Sequence, residues 1–197
     1  MFLIAGLGNP GPRYQWTRHN ASWIVLDRLA EKLGLGPADW EEKHRGRAAR
    51  ARSGGDEVLL VRPLTFMNLS GEAVGPWMQF YKIPVSQVLV VVDEYALPFG
   101  RLRVRPDGSD GGHNGLKSIQ AQIGQAYPRL RIGVRAEHGQ VPMADFVLHE
   151  FSADEKKSLP KVADAAVACI EMVNLHAKLG SSSKKTPSPL LKLKKKA

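Results

Sequence analysis

The chain is predicted to be an α/β protein: a single three-layer domain with a twisted, mixed, mostly parallel β-sheet flanked by helices. Three observations carry this. Gln87–Asp93 holds an unbroken valine and leucine run, the pattern of a central strand covered on both faces. Short apolar runs alternate along the chain with longer segments whose apolar residues recur at helical spacing. Arg47–Arg52 and Glu57–Arg62 flank the turn sequence SGGD, so at least one strand pair is an antiparallel hairpin.

Taken in order, Met1–Leu7 reads as a first buried strand. Trp23, Ile24, Leu26, Leu29, Ala30 and Leu33 then recur as one helix face between about Asn20 and Leu33, and Gly34 closes that helix. Residues 35–45 read as a loop. After the hairpin, Pro63 ends its second strand. Ser70, with Glu72 close behind, starts a helix running to about Lys82, with Val74, Trp77, Met78 and Tyr81 on one side. The central strand follows and ends at Asp93 and Glu94. Gly100–Arg105 alternates basic and apolar residues, as a half-exposed strand does, and PDGSDGG is a loop. NGLKSIQAQIG begins a short helix near Asn114, Arg129–Arg135 is a further alternating strand, and Met143–His149 is a short helical turn. Ser152 and Glu155 form a capping box for a long helix to Leu179, which Pro160 restarts or kinks and Gly180 stops. The domain therefore spans residues 1–180, and residues 181–197 form a mobile Lys/Ser/Pro-rich tail that cannot bury a core. There is no internal repeat.

The 197 residues are enough for one domain with a substantial core. The longest apolar run, Val88–Val92, is far short of a membrane span, which takes about 20 residues. The N-terminus lacks the basic and apolar regions of a signal peptide, and one cysteine, Cys169, cannot form an internal disulfide; a cytoplasmic protein is expected. The net charge is +9, but six lysines in residues 180–197, with no acid among them, leave +3 for the remainder. Charge alone is thus a weak pointer to a polyanionic partner.

The chemistry concentrates in Gly6–Asn20, GLGNPGPRYQWTRHN. Its glycines match the dinucleotide fingerprint G-x-G-x-x-G, but Pro10 and Pro12 occupy the turn and no apolar helix starts inside the motif. A nucleotide-cofactor oxidoreductase is therefore disfavoured, and the glycines are expected instead to let backbone approach a ligand. His19 is a candidate general base, although a histidine there also suits a helix start. Asp93, at the end of the central strand, lies where α/β folds place their sites, although it too suits a cap or a surface position. Together they form a dyad in which Asp93 holds one ring nitrogen and the other takes a proton from water. No serine or cysteine nucleophile accompanies them, and no His or acid spacing suggests a metal. Asn9, Asn68 and Asn114 sit in tight loops. Each serves as a turn residue or as an amide that binds an acyl or peptide group. The GGHNGLKS segment presents backbone N–H groups at a helix N-terminus, an anion site. Arg101, Arg103 and Arg105 project from one strand face, Arg129 and Arg131 repeat the device, and Lys117 lies one turn into the helix. They form either a solvated basic edge or phosphate clamps.

Several motifs together resemble the bacterial-type peptidyl-tRNA hydrolase family: GLGNPG, TRHN at Thr17–Asn20, TFMNLSG at Thr65–Gly71, VDE at Val92–Glu94, GGHNGLKSI at Gly111–Ile119, LRIG at Leu130–Gly133 and FVL at Phe146–Leu148. They occur in the family's order and span nearly everything before the tail. The resemblance implies hydrolysis of the ester joining a peptide, or an N-blocked amino acid, to the 3′-terminal ribose of tRNA, without metal or cofactor, by a monomer. It implies that His19 is the general base supported by Asp93, that Asn9 discriminates blocked amino groups, and that Asn68, His113 and Asn114 hold the substrate. Tyr14 and Phe66 then contact the tRNA end, and Arg103, Arg105, Lys117 and Arg131 its phosphates. Two departures stand out. Ala96 replaces a second acid common after VDE, and Asp110 adds a negative charge before GGHN. A non-catalytic RNA-binding protein on the same scaffold is the alternative.

Overall fold

A computed structural model describes residues 1–136 and 141–178, with side chains through residue 174. Among the described residues, seven strands form one sheet in the order β2-β3-β4-β1-β5-β7-β6. They are β1 (Phe2–Gly6), β2 (Trp40–Lys43), β3 (Gly46–Ser53), β4 (Asp56–Pro63), β5 (Val88–Pro98), β6 (Leu102–Arg105) and β7 (Arg129–Arg135). The central four, β4-β1-β5-β7, are parallel, and β2, β3 and β6 join antiparallel at the two edges. The sheet is mixed as expected. Its parallel character is confined to the centre, and parallel and antiparallel pairings are equal in number.

The helices are α1 (Ala21–Lys32), α2 (Gly71–Phe80), α3 (Asn114–Ile123), α4 (Met143–Phe146) and α5 (Ala153–Lys178). Strand alternation divides the core in two. Phe2, Ile4, Leu89, Val91, Leu130 and Ile132 pack beneath α1 and α5. Leu3, Ala5, Val88, Val90 and Val92 pack beneath α2 and α3. Val88 to Val92 of the central strand thus alternate between the two cores, which is why that stretch reads as an unbroken apolar run.

Several local expectations change. The segment expected as a loop over 35–45 contains a 3-10 turn, Pro37–Asp39, and the edge strand β2. Its residues Glu41, Glu42 and Lys43 are exposed, so the strand is held by backbone pairing to β3 and leaves no apolar alternation. The β2–β3 turn is made by His44 (φ 50°) and Arg45 (φ 56°), which lack the usual glycine or asparagine signature. The SGGD hairpin is as predicted, with Gly54 and Gly55 at φ 56° and 88°. Asp93 does not end β5; the strand continues to Pro98 after a register break between Glu94 and Pro98. Ser70 does not cap α2 with its side chain; its hydroxyl donates to the Met67 carbonyl. The Ser152–Glu155 capping box is formed reciprocally, and α5 runs through Pro160 without interruption. The expected stop at Gly180 and the tail 181–197 lie outside the described residues. Among the described residues, no helix is long and apolar enough to cross a membrane.

Candidate active site

The first strand delivers the chain to the C-terminal edge of the sheet, where open α/β folds bind ligands. Gly6 and Gly8 serve packing there. A Cβ on Gly8 would lie 2.7 Å from the Trp23 indole nitrogen, and one on Gly6 would lie 3.2 Å from the Leu26 methyls, so both glycines let α1 close on the strand end. After the turn, a 3-10 segment, Arg18–Asn20, leads into α1.

That segment is braced from the far end of the chain. The Arg18 and His19 N–H groups donate to the carbonyls of His149 and Val147. Arg18 is itself buried; its guanidinium donates to Glu155 at 2.6 Å and to the Glu150 carbonyl, and stacks over Phe146 and Phe151. His19 therefore sits on a rigid support.

Its Nδ1 lies 2.9 Å and 3.0 Å from the two carboxylate oxygens of Asp93. Asp93 is 3% exposed and accepts a second imidazole, His113 Nε2, at 3.0 Å. His113 is the N-cap of α3, and its Nδ1 accepts from the N–H groups of Gly115 (3.1 Å) and Leu116 (3.3 Å). A nitrogen that accepts two N–H bonds carries no proton, so the His113 proton is on Nε2, facing Asp93. Likewise Asp93, acceptor-only when ionised, places the His19 proton on Nδ1 and leaves the Nε2 lone pair toward the cleft.

Burial lowers the His19 pKa, but the Asp93 carboxylate and its hydrogen bond more than offset this, and the value is raised above the ordinary 6.5. Burial raises the Asp93 pKa; the two imidazoles outweigh it and hold the carboxyl well below the usual range.

Sequence spacing gave no metal signature, yet His19, Asp93 and His113 bring three possible ligand atoms within 4.8 Å of one another. The donor set does not fit a cation. Binding through His113 Nε2 would require a proton on Nδ1, which would then face two backbone N–H groups.

Asn9 is buried, and its Oδ1 accepts from the Met67 N–H at 2.8 Å. Since that backbone group only donates, the amide orientation is settled and Nδ2 is the atom presented to the cleft. Asn9 is itself held by Asn20, whose Oδ1 accepts from the Asn9 N–H (2.8 Å) and whose Nδ2 donates to the Asn9 carbonyl (3.0 Å). Asn20 and Met67 were not singled out from the sequence. Asn20 is 0% exposed, and only its place beside His19 in RHN hinted at it.

These groups line a cleft of about 450 Å³ that also takes in Phe66, Asn68 and Asn114. Asn68 and Asn114 are exposed, with no side-chain hydrogen bond to other described residues. Phe66 is 54% exposed, and Tyr14 meets it edge to face at 6.4 Å, so these two rings form one rim.

The family model described as peptidyl-tRNA hydrolase matches residues 3–189. The chain belongs to the peptidyl-tRNA hydrolase family. It is 45% identical over 175 residues to the peptidyl-tRNA hydrolase of Frankia casuarinae, covering 87% of each chain. To that of Porphyromonas gingivalis it is 46% identical over 171 residues, covering 86% of this chain and 91% of the relative. The crystal structure of peptidyl-tRNA hydrolase from Acinetobacter baumannii matches with a TM-score of 0.82 at 32% identity, covering 91% of both chains.

On this peptidyl-tRNA hydrolase scaffold the expected basic residues separate by burial and by the partners they meet. Arg103 and Arg105 are exposed on the edge strand β6 and pair in register with Arg131 and Arg129, so all four project toward the α3 side. Arg129 is not a phosphate clamp: it is 0% exposed and donates to the carbonyls of Gly108, Ser109 and Gln125. Arg131 lines the cleft, but one terminal nitrogen bonds Glu94 and the other the Ser109 carbonyl at 3.1 Å. Lys117 is exposed on α3 and does not line the cleft. The anion site expected at GGHN is filled by the protein itself. Asp110 accepts from the N–H groups of Gly112 (side chain, 2.8 Å) and His113 (carbonyl, 3.1 Å), and His113 takes those of Gly115 and Leu116.

Proposed function

We propose that this protein hydrolyses the ester between a peptide, or an N-blocked amino acid, and the 3′-terminal ribose of tRNA. The observation that carries this reading is the His19–Asp93 contact with Nε2 open to the cleft, in a chain of the peptidyl-tRNA hydrolase family. His19 Nε2 takes a proton from water, and the resulting hydroxide attacks the ester carbonyl. Collapse of the tetrahedral intermediate breaks the bond to the ribose oxygen, which receives the proton back from His19. One water is consumed, and a peptide acid and a free tRNA hydroxyl are released. Asp93 keeps His19 in the tautomer this requires and stabilises the imidazolium that forms.

Asn9 Nδ2, fixed as a donor, addresses a carbonyl at the acyl end of the substrate. Asn68 and Asn114 hold the peptide and the 3′ end. Tyr14 and Phe66 offer aromatic surface to the terminal bases, where stacking is sequence-tolerant. Arg103 and Arg105, exposed and with the alternation of an edge strand, contact the tRNA backbone, as does Lys117, exposed on α3; Arg131 joins only by exchanging Glu94 or Ser109 for a phosphate. In this reading residues 1–180 are one catalytic domain, active as a monomer in the cytoplasm without metal or cofactor.

The test is hydrolysis of an N-acetylated aminoacyl-tRNA beside its unblocked counterpart. Turnover of the blocked ester alone is expected, and His19→Ala should lose most turnover while still binding tRNA. A His19→Ala variant with full activity would sink the general-base assignment; a wild-type protein that binds tRNA without turnover would make it a non-catalytic RNA-binding protein.

A further inference from the structure

The resemblance groups His113 with the residues that hold substrate, but its bonds point inward. Both ring nitrogens are committed to protein: Nδ1 to the first N–H groups of α3, Nε2 to Asp93 Oδ1. The same Asp93 oxygen faces His19 Nδ1 at 2.9 Å. We propose that His113 is a positioning residue for the catalytic dyad, whose role as the α3 N-cap locks its tautomer so that Nε2–H is always the donor that aims and shares the Asp93 carboxylate.

A histidine free to choose its tautomer could present either a donor or a lone pair to Asp93, and a lone pair would repel it. The cap removes that choice, because a proton on Nδ1 would meet two backbone N–H groups at 3.1 and 3.3 Å. The consequence for His19 is electrostatic. An N–H dipole bonded to Asp93 draws off part of the charge that would otherwise act on His19, so His113 restrains the rise in His19 basicity that Asp93 causes. The α3 start also carries Asn114, so the element that meets substrate and the element that aims Asp93 are one.

Two substitutions separate the bonds. The carbonyl oxygen of asparagine overlays Nδ1 and its amide is too short to reach Asp93, so His113→Asn keeps the cap and loses the donor. The amide nitrogen of glutamine overlays Nε2, so His113→Gln keeps the donor and loses the cap. The other charged groups facing the cleft, Glu94 on β5, Arg131 on β7, Asp110 before α3 and Asp145 on α4, are the same in both.

The role depends on the hydrolase reading above, so two readouts are used: turnover of N-acetyl-aminoacyl-tRNA, and the His19 ring titration by NMR on the folded protein, which needs no substrate. Expected for His113→Asn are a kcat loss of about tenfold or more with KM within about threefold, and an acid limb and a ring titration shifted up together by roughly half a unit or more. His113→Gln should recover kcat and the titration while melting at a lower temperature. The proposal is overturned if His113→Asn titrates like wild type, if His113→Gln loses as much kcat as His113→Asn, or if only KM moves, which would return His113 to substrate contact. Wild-type protein that fails to turn over the ester would overturn the hydrolase reading alone, since the titration shift is still read.

Discussion

His19 presents Nδ1 to both oxygens of Asp93, 2.9 Å from Oδ1 and 3.0 Å from Oδ2, across 74 residues of sequence. Because the carboxylate is buried, this contact sets the protonation of His19 and ties activity and stability to pH in opposite senses.

The His19 pKa in the folded state is raised above 6.5. A general base must be neutral, so the acid limb of kcat/KM should lie above pH 6.5, with activity climbing as His19 loses its proton. The stabilising contribution of the charged pair runs the other way. It is fully present below pH 6.5 and is lost as pH rises through the folded value. Thermal melts and rates collected over the same pH series check both; an acid limb below 6.5 would contradict the geometry.

Asp93→Asn removes the charge and leaves burial as the dominant influence on His19. The acid limb should then move to lower pH than in wild type, while the maximal rate falls by about 10²–10⁴-fold, the range for a compromised general base. A pH–rate profile of the variant decides it. A limb that stays in place would mean that Asp93 does not set the His19 pKa.

The legible parts of this molecule were those in which one side chain reports its own environment. The valine run of β5 needed cover on both faces, the glycines of SGGD needed positive φ, and His19 and Asp93, each with a structural use of its own, stood out only together, as a pair able to form a general-base dyad. What stayed hidden depended on who meets whom. Alternation put Arg103 and Arg105 on one face of their strand and Arg129 and Arg131 on one face of theirs, but only the fold shows that the two pairs lie in register, that loop carbonyls bury Arg129 and that Glu94 occupies Arg131. The GGHN loop looked open to an anion because Asp110 and His113 turning back to satisfy it leaves no periodic trace. Strand β2 was invisible because its partners are backbone groups.

Asn20 makes a prediction that follows from burial alone. Both its amide ends hold the Asn9 backbone. Asn20→Ala leaves a buried N–H and C=O unsatisfied, which costs about 1–3 kcal/mol and lowers Tm by about 2–12 °C for a chain of this size. Released Asn9 should also lose its aim, so kcat/KM falls at temperatures where the variant is still folded. Asn20→Asp is the control: it keeps the acceptor and sets a carboxylate oxygen against the Asn9 carbonyl, so it should be at least as damaging. An Asp variant equal to wild type in melt and rate would dismiss the clamp.

The arginines divide by salt dependence. Each phosphate contact removed should reduce the slope of log kcat/KM against log salt by about 0.7–0.9. Arg103→Ala and Arg105→Ala should each do so with little change in Tm, since both side chains are exposed. Arg129→Ala should do the reverse, lowering Tm by releasing the Gly108–Ser109 loop while leaving the slope unchanged. Rates at several salt concentrations, beside thermal melts, separate the groups; an unaltered slope in the Arg103/Arg105 double variant would exclude phosphate contact there.

Gly71 opens α2 where that helix crosses α3, and its N–H donates to Ser118 Oγ at 2.9 Å. A Cβ there would lie 2.2 Å from the Ser118 carbonyl oxygen and 2.6 Å from its carbon, both backbone atoms of α3 that cannot swing aside. Gly71→Ala must therefore push the two helices apart, and overpacking of this kind costs about 1–3 kcal/mol. The strain falls between the two sides of the cleft, because Phe66 and Asn68 precede α2 while His113 and Asn114 begin α3. Lower Tm and reduced kcat/KM are expected together. Gly36→Ala is the comparison: its φ is −104° and the nearest atom to a new Cβ is the Asp39 carboxylate at 3.7 Å, an ordinary contact, so neither quantity should move. If Gly71→Ala melts and turns over like Gly36→Ala, then the α2–α3 approach does not set the width of the cleft.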